Sequence, residues 1–192
     1  MTIMTVAALY VDPRGPYPAM PDVECWDSVR DARTYSGPWP VVAHPPCGSW
    51  GRFRNLASGN DADCAPRAVE QVRAFGGVVE HPAHSRLWPY ADLPRPGELP
   101  DAYGGYTLEV DQCAWGHVAR KATWLYVVRV ARATAAAGIR MGGAPTHVVE
   151  HTRHAGARRS GLKLCSHQLR RRTPPAFAAW LVDLARSVRL CP

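Results

Sequence analysis

Pro40-Val41-Val42-Ala43-His44-Pro45-Pro46-Cys47 and, further on, Gly76-Gly77-Val78-Val79-Glu80-His81-Pro82 are the stretches that decide the fold. Each is a short apolar, β-favouring run halted by proline, which fixes the backbone and cannot continue a strand ladder. Between them, Asp61 is a candidate N-cap for a helix to Phe75, with Gly76-Gly77 as its C-terminal stop. Strand, helix, strand with apolar strands is the βαβ pattern, and it predicts a parallel sheet. In open sheets of this kind the carboxyl ends of neighbouring strands share one rim, where ligands bind. Cys47 and Glu80 are thereby predicted to converge although 33 residues separate them.

Outward from this core, Thr5 to Val11 reads as a first strand that ends at the turn Asp12-Pro13-Arg14-Gly15-Pro16. The spacing allows a short helix within Asp22 to Tyr35. Leu93 to Gly105 is Pro- and Gly-rich and predicts a surface loop. Thr107–Trp115 and Thr123–Arg129 have β-type composition and predict a hairpin-like pair at the sheet edge. Ala131–Ala137 predicts a helix ended by Gly138, and Gly142 to Arg172 reads as loop. A last helix is predicted from Pro174 to about Arg189, with Phe177, Trp180, Leu181, Leu184 and Val188 on one face. The fold class that follows is α/β, a Rossmann-like, mostly parallel sheet flanked by helices. Residues 1–192 form one domain, with a basic loop and C-terminal helix at 142–192.

A hydrophobic content of 46% excludes wholesale disorder. No apolar stretch approaches the ~18 residues needed to span a bilayer, and no basic segment precedes a long apolar run at the N-terminus. No membrane association is expected. The six cysteines lie far apart without a Cys-x-x-Cys, against a disulfide scaffold or zinc ribbon and in favour of a reduced, cytoplasmic protein. His44, His81 and His84 with Cys47 lack standard ligand spacing, so no metal is expected.

Charge is unevenly spread. Residues 151–192 carry nine Lys or Arg and one acid, net +8, whereas residues 1–150 carry 14 basic and 15 acidic residues, net −1. A near-neutral body with a basic C-terminal quarter points to a polyanion, most simply DNA. Arg170, Arg171 and Arg172 are the leading candidates for backbone contact, with Arg158, Arg159 and Lys163 in the basic loop from Thr146 to Arg172. Arg52 and Arg54 are phosphate candidates beside the thiol. Trp50 is a base-stacking candidate, and His81 a polar contact.

A thiol and a carboxylate together suit one chemical problem, making an aromatic pyrimidine carbon nucleophilic. Thiolate attack at C6 breaks the aromaticity and leaves C5 enamine-like, while a carboxylic acid at N3 supports the developing charge. Arg120 or Lys121 nearby is expected to lower the thiol pKa. A partly buried Glu80 is expected to hold its proton near neutral pH.

On these residues the chain resembles the DNA cytosine-C5 methyltransferases, in the manner of short, divergent, phage-type relatives. Their Pro-Cys nucleophile motif is similar to Pro46-Cys47, and their Glu-Asn-Val motif to Glu80-His81-Pro82. Their later Arg-rich strand resembles the segment around Arg120 and Lys121, and their last motif resembles Arg172 to Ala178. The resemblance implies Cys47, Glu80, Arg120 and Lys121 as catalytic residues. It implies S-adenosylmethionine as cofactor, near Asp12, Gly15, Pro45 and Pro175. It also implies a truncated methyltransferase-type fold without the large target-recognition domain. The family's opening Phe-x-Gly-x-Gly loop is replaced by Asp12-Pro13-Arg14-Gly15-Pro16, with one glycine.

Two other readings stay open. The Pro-Pro-Cys loop is also similar to the nucleophile loop of thymidylate synthases, which act on free nucleotides. A catalytically degenerate methyltransferase fold kept for nucleic-acid binding is the other.

Overall fold

The computed structural model describes residues 3–51, 61–149 and 161–189. A six-stranded sheet lies at its centre, built from β1 (Val6–Leu9), β2 (Val23–Trp26), β3 (Val41–Ala43), β4 (Gly77–Pro82), β5 (Tyr106–Asp111) and β6 (Ala122–Val128). The spatial order is β2-β1-β3-β4-β6-β5. β2, β1, β3 and β4 are parallel, and β6 runs antiparallel to both β4 and β5. The chain leaves β1 toward β2 on one side and returns to β3 on the other. The ends of β1 and β3 therefore bound the crevice where such sheets place ligands.

Alternation along the strands feeds two cores. Val6, Ala8, Val42, Val78, Leu125 and Val127 face one side and pack with Tyr17, Trp115, Phe177 and Leu181. Ala7, Leu9, Val41, Ala43, Val79, Tyr126 and Val128 face the other and pack with Val69, Val72 and Trp88. The second side is covered by α1 (Cys64–Phe75) and the short α2 (Leu87–Tyr90), and the first by the C-terminal helix described below. Gly77 begins β4 at φ +117, and a Cβ there would drive into the carbonyl oxygen of Val41. Glycine is what lets β3 and β4 pair from their first residues.

Three predicted elements come out differently. The segment expected to hold a helix within Asp22–Tyr35 is instead the edge strand β2 followed by a single 3-10 turn, Ala32–Thr34. The Asp27 side chain accepts from the Val29 and Arg30 amides as an N-cap would, but Asp31 at φ +48 leaves the right-handed helical region and stops any helix after one turn. The β5–β6 pair does form, but β6 sits inside the sheet and only β5 is at the edge. β6 is buried from Thr123 through Val128, whereas Leu108 and Glu109 leave β5 partly open.

The stretch expected as loop from Gly142 to Arg172 contains a ribbon of β7 (His147–Val148) and β8 (Lys163–Leu164), then α4 (His167–Arg171). The Thr146 and His147 amides both donate to the Val118 carbonyl, and the Ser166 hydroxyl caps α4 at Leu169, 3.1 Å. α3 (Arg132–Ala137) and α5 (Pro175–Arg186) fall where the sequence predicts helices. α5 packs its apolar face on β1, β3 and β4. Among the described residues, no helix is long and apolar enough to cross a membrane.

Candidate active site

At the carboxyl rim, β3 and β4 run in register, Val41 opposite Gly77 through Ala43 opposite Val79. One step further the same pairing brings His44 beside Glu80, both on the α5 side of the sheet. His44 Nδ1 and Glu80 Oε2 lie 3.0 Å apart. Beyond His44, Pro45 and Pro46 end the strand and the chain turns tightly, the Cys47 carbonyl accepting from the Trp50 and Gly51 amides. The turn leaves Cys47 exposed at the mouth of the crevice.

Glu80 is 8% exposed and held from three sides. His44 takes one oxygen. The other accepts from Gln112 Nε2 at 2.7 Å and lies 4.0 Å from the Lys121 ammonium. Gln112 also donates to Thr123 Oγ1 at 3.0 Å, tying the start of β6 into the network. Behind His44, its Nε2 meets the Tyr17 hydroxyl at 2.5 Å, and Tyr17 is 2% exposed. The Tyr17–His44–Glu80–Gln112–Thr123 chain thus crosses the ends of four segments that are distant in sequence.

Burial alone would raise the Glu80 carboxyl. The Lys121 charge and the His44 hydrogen bond outweigh it and hold the group well below the usual carboxylate range. This corrects the expectation of a proton held by Glu80 near neutral pH, because the sequence does not show how completely the acid is partnered. For Cys47 the sign is also the reverse of the one expected. Enclosure of the sulfur and then the Glu80 charge push the thiol up, and Lys121 and Arg171 only oppose this. At rest the pair holds one proton, on sulfur.

The other sequence candidates divide. Lys121 joins the cluster, but Arg120, its neighbour in the segment just before β6, projects away and pairs with Asp111 at 3.0 Å. His81 points to the opposite face from Glu80 and is fully buried, its ring centroid 6.5 Å from that of Trp88. It is sealed from any nucleic acid, which corrects the contact assigned to it. Neither of its ring nitrogens makes a hydrogen bond of ordinary geometry, and burial lowers its pKa to about 4 despite the charge of Glu80 and the backbone at Pro46.

Arg171 is exposed on α4, and its charge reaches both Cys47 and Asp12. His117 holds α4 in place through Nε2 and the Leu169 carbonyl, 3.2 Å. Arg172 and Lys163 are exposed and Arg170 half-buried. Trp50 is half-buried at the rim. Arg52, Arg54, Arg158 and Arg159 lie outside the described residues.

The loop after β1 is a tight turn rather than a cradle. Its Gly15 amide donates to the Asp12 carbonyl at 2.8 Å, and Asp12 is tied to Arg14. A Cβ on Gly15 would meet that same carbonyl at 3.0 Å, so the one glycine serves the turn itself. Beyond the turn Tyr17 is buried, its hydroxyl on His44 just past the end of β3. Pro45 is buried, and Pro175 is exposed at the first turn of α5. These residues do not fit S-adenosylmethionine in the way the resemblance implies.

Tyr17, His44, Gln112 and Thr123 carry no local motif, and among them only His44 is signalled by alternation, two residues past Val42. Among the described residues no group of three or more His, Cys, Asp or Glu is placed to hold a metal. Neither a protein-family model nor a curated protein matches this chain.

Proposed function

We propose that the protein adds the Cys47 thiol covalently to C6 of a pyrimidine in DNA and thereby activates C5. The observation that carries the reading is a cysteine exposed at the mouth of the crevice, its sulfur in the electrostatic reach of a buried, ionised carboxylate and a lysine, at the rim where parallel sheets bind ligands. The Cys47 proton passes to water at the mouth of the crevice as the sulfur attacks. The sulfur lone pair forms the S–C6 bond, the C5=C6 electrons move toward N3, and N3 takes a proton from water and donates it in a hydrogen bond to the Glu80 carboxylate. C5 is then enamine-like and takes a proton from water. The hydroxide left behind removes the original C5 proton, N3 gives up its proton to solvent, and the Cys47 sulfur leaves C6 as the ring is restored. Lys121 and Arg171 favour the transient thiolate, and His44, backed by Tyr17, holds the Glu80 carboxylate in place. No step passes through S-adenosylmethionine, since the loop after β1 does not fit it. The basic surface of Lys163, Arg171 and Arg172 supports a DNA substrate.

The test is a short oligonucleotide carrying pyrimidin-2-one, whose C6 accepts thiols readily. Wild type is expected to give a denaturation-resistant adduct that Cys47→Ala abolishes. Absence of the adduct, or its persistence in Cys47→Ala, overturns the proposal. The raised thiol and the closed β1 loop favour one second reading, a nucleic-acid-binding protein without turnover. That reading predicts salt-sensitive DNA binding, unchanged in Cys47→Ala and without an adduct.

A further inference from the structure

Three residues past Cys47, the Trp50 ring is fixed from two sides. Its indole N–H donates to the Ala62 carbonyl at 3.0 Å, while its own carbonyl accepts from the Arg86 amide and the Ser85 hydroxyl. Ser49, next to it, donates to Asp61 at 3.2 Å. Against this held ring stands Tyr90, at the end of α2, with centroids 4.7 Å apart in an edge-to-face arrangement. Tyr90 is 67% exposed, which is unusual for an aromatic ring already engaged on one edge. The pair borders a hollow of about 650 Å³, closed by Pro66, Ala62 and the ion pairs Arg33–Asp63 and Arg67–Glu70.

The charges around this hollow cancel. Each guanidinium is matched by a carboxylate at 2.8–3.0 Å, so the walls offer little to a phosphate. What they offer is a rigid aromatic edge and an open aromatic face, which suits a flat, uncharged ring. The N-terminus of α1, the Cys47 turn and the end of α2 all lie at the carboxyl rim, so the hollow and the thiol share that rim, with the hollow on the α1 side of the sheet and Glu80 on the α5 side. A pyrimidine drawn to Cys47 must leave its stack, and its neighbour then loses a stacking partner. Aromatic side chains replace such a partner without regard to base identity.

We infer that the Trp50–Tyr90 pair seats the nucleobase next to the target pyrimidine, and that the substrate is accordingly single-stranded or locally opened DNA. This rests on the pyrimidine reading above and names the form of its substrate. A neighbour that has moved onto Tyr90 cannot remain stacked in an intact duplex.

The test is fluorescence anisotropy with the labelled single-stranded pyrimidin-2-one oligonucleotide, alongside the adduct assay. Tyr90→Ala is expected to weaken binding about ten-fold and Tyr90→Phe to leave it unchanged, since the ring face does the stacking. Exposure of Tyr90 means that neither change should shift the melting temperature. An oligonucleotide with an abasic site beside the target should bind wild type as weakly as Tyr90→Ala binds the intact strand, and the two losses should not add. Unchanged affinity in Tyr90→Ala, additive losses, equal affinity for duplex, or no binding by wild type overturns the inference. If wild type forms the adduct while Tyr90→Ala binds normally, the seat alone fails. If Tyr90→Ala weakens binding but no adduct forms, the seat stands and the thiol chemistry fails.

Discussion

Glu80 and Asp101 are both carboxylates drawn into the protein, at opposite rims of the same sheet, and they are built for different purposes. Asp101, in the loop before β5, accepts from the Tyr103 and Gly105 amides at 2.9 and 2.8 Å, from the Tyr126 hydroxyl at 2.6 Å and from Arg73 at 3.3 Å. The Arg73 and Tyr126 side chains fasten the loop to α1 and β6. Glu80 is held by an imidazole, an amide and a lysine 4.0 Å off, beside a thiol at the mouth of the crevice. Its charge reaches the Cys47 sulfur at the crevice mouth. A carboxylate stapled between an arginine, a phenol and two amides fastens a loop; one set beside a thiol at an open rim is placed to act on a ligand.

The largest effect that separates them is catalytic. Glu80→Gln keeps the shape but removes the charge proposed to support the protonated N3, so adduct formation should slow on the order of 100-fold, read by gel shift over time. Asp101→Asn should leave that rate intact and instead cost about 2 kcal/mol of stability, because Arg73 and the Tyr126 hydroxyl lose their partner. In a chain of this size that lowers the melting temperature by roughly 4–8 °C. If both variants lost the same property, the distinction between the two carboxylates would be void.

The sequence makes the sheet readable where β-branched residues run into proline, as in Val41–Ala43 and Val78–Pro82, because the burial is continuous and its stop is local. Placing Cys47 and Glu80 at one rim follows from parallel pairing alone. The network behind them does not follow. Tyr17 reaches His44 across 27 residues and Gln112 reaches Glu80 across 32, contacts set by the packing of segments rather than by any spacing in the chain. The charge states are illegible for the same reason. The sign of a buried acid's pKa shift depends on partners that only the fold assembles, so an acid expected to keep its proton is held ionised.

A smaller effect concerns stability and pH. Glu80 and His81 are adjacent, on opposite faces, and both have depressed pKa values in the fold. For a depressed histidine the unfolded chain takes up the proton first, so stability falls as pH drops from about 6.5 toward about 4. Glu80 acts in the window below that, losing its contribution as pH falls from about 4.3 through its folded value. His81→Leu should remove most of the upper slope, on the order of 3 kcal/mol across it, and Glu80→Gln should flatten only the lower. Urea midpoints measured from pH 7 to pH 3 check this. A His81→Leu curve parallel to wild type would mean that the ring is protonated where it sits.

The smallest effect separates two adjacent cations just before β6. Lys121 and Arg120 are neighbours of like charge, yet one is 19% exposed with Glu80 as its partner and the other 61% exposed with Asp111 as its partner. Lys121→Met withdraws the charge that opposes both the burial of Glu80 and the raised Cys47 thiol, and adduct formation should fall about 10-fold. Arg120→Ala removes only a solvated pair, which is worth no more than about 0.5 kcal/mol, and should leave the adduct rate and its salt dependence unchanged. The resemblance to cytosine methyltransferases treats the two residues alike. If Arg120→Ala were the more damaging change, Arg120 rather than Lys121 would have to stand against Glu80, and the assignment of Lys121 as its partner would fall.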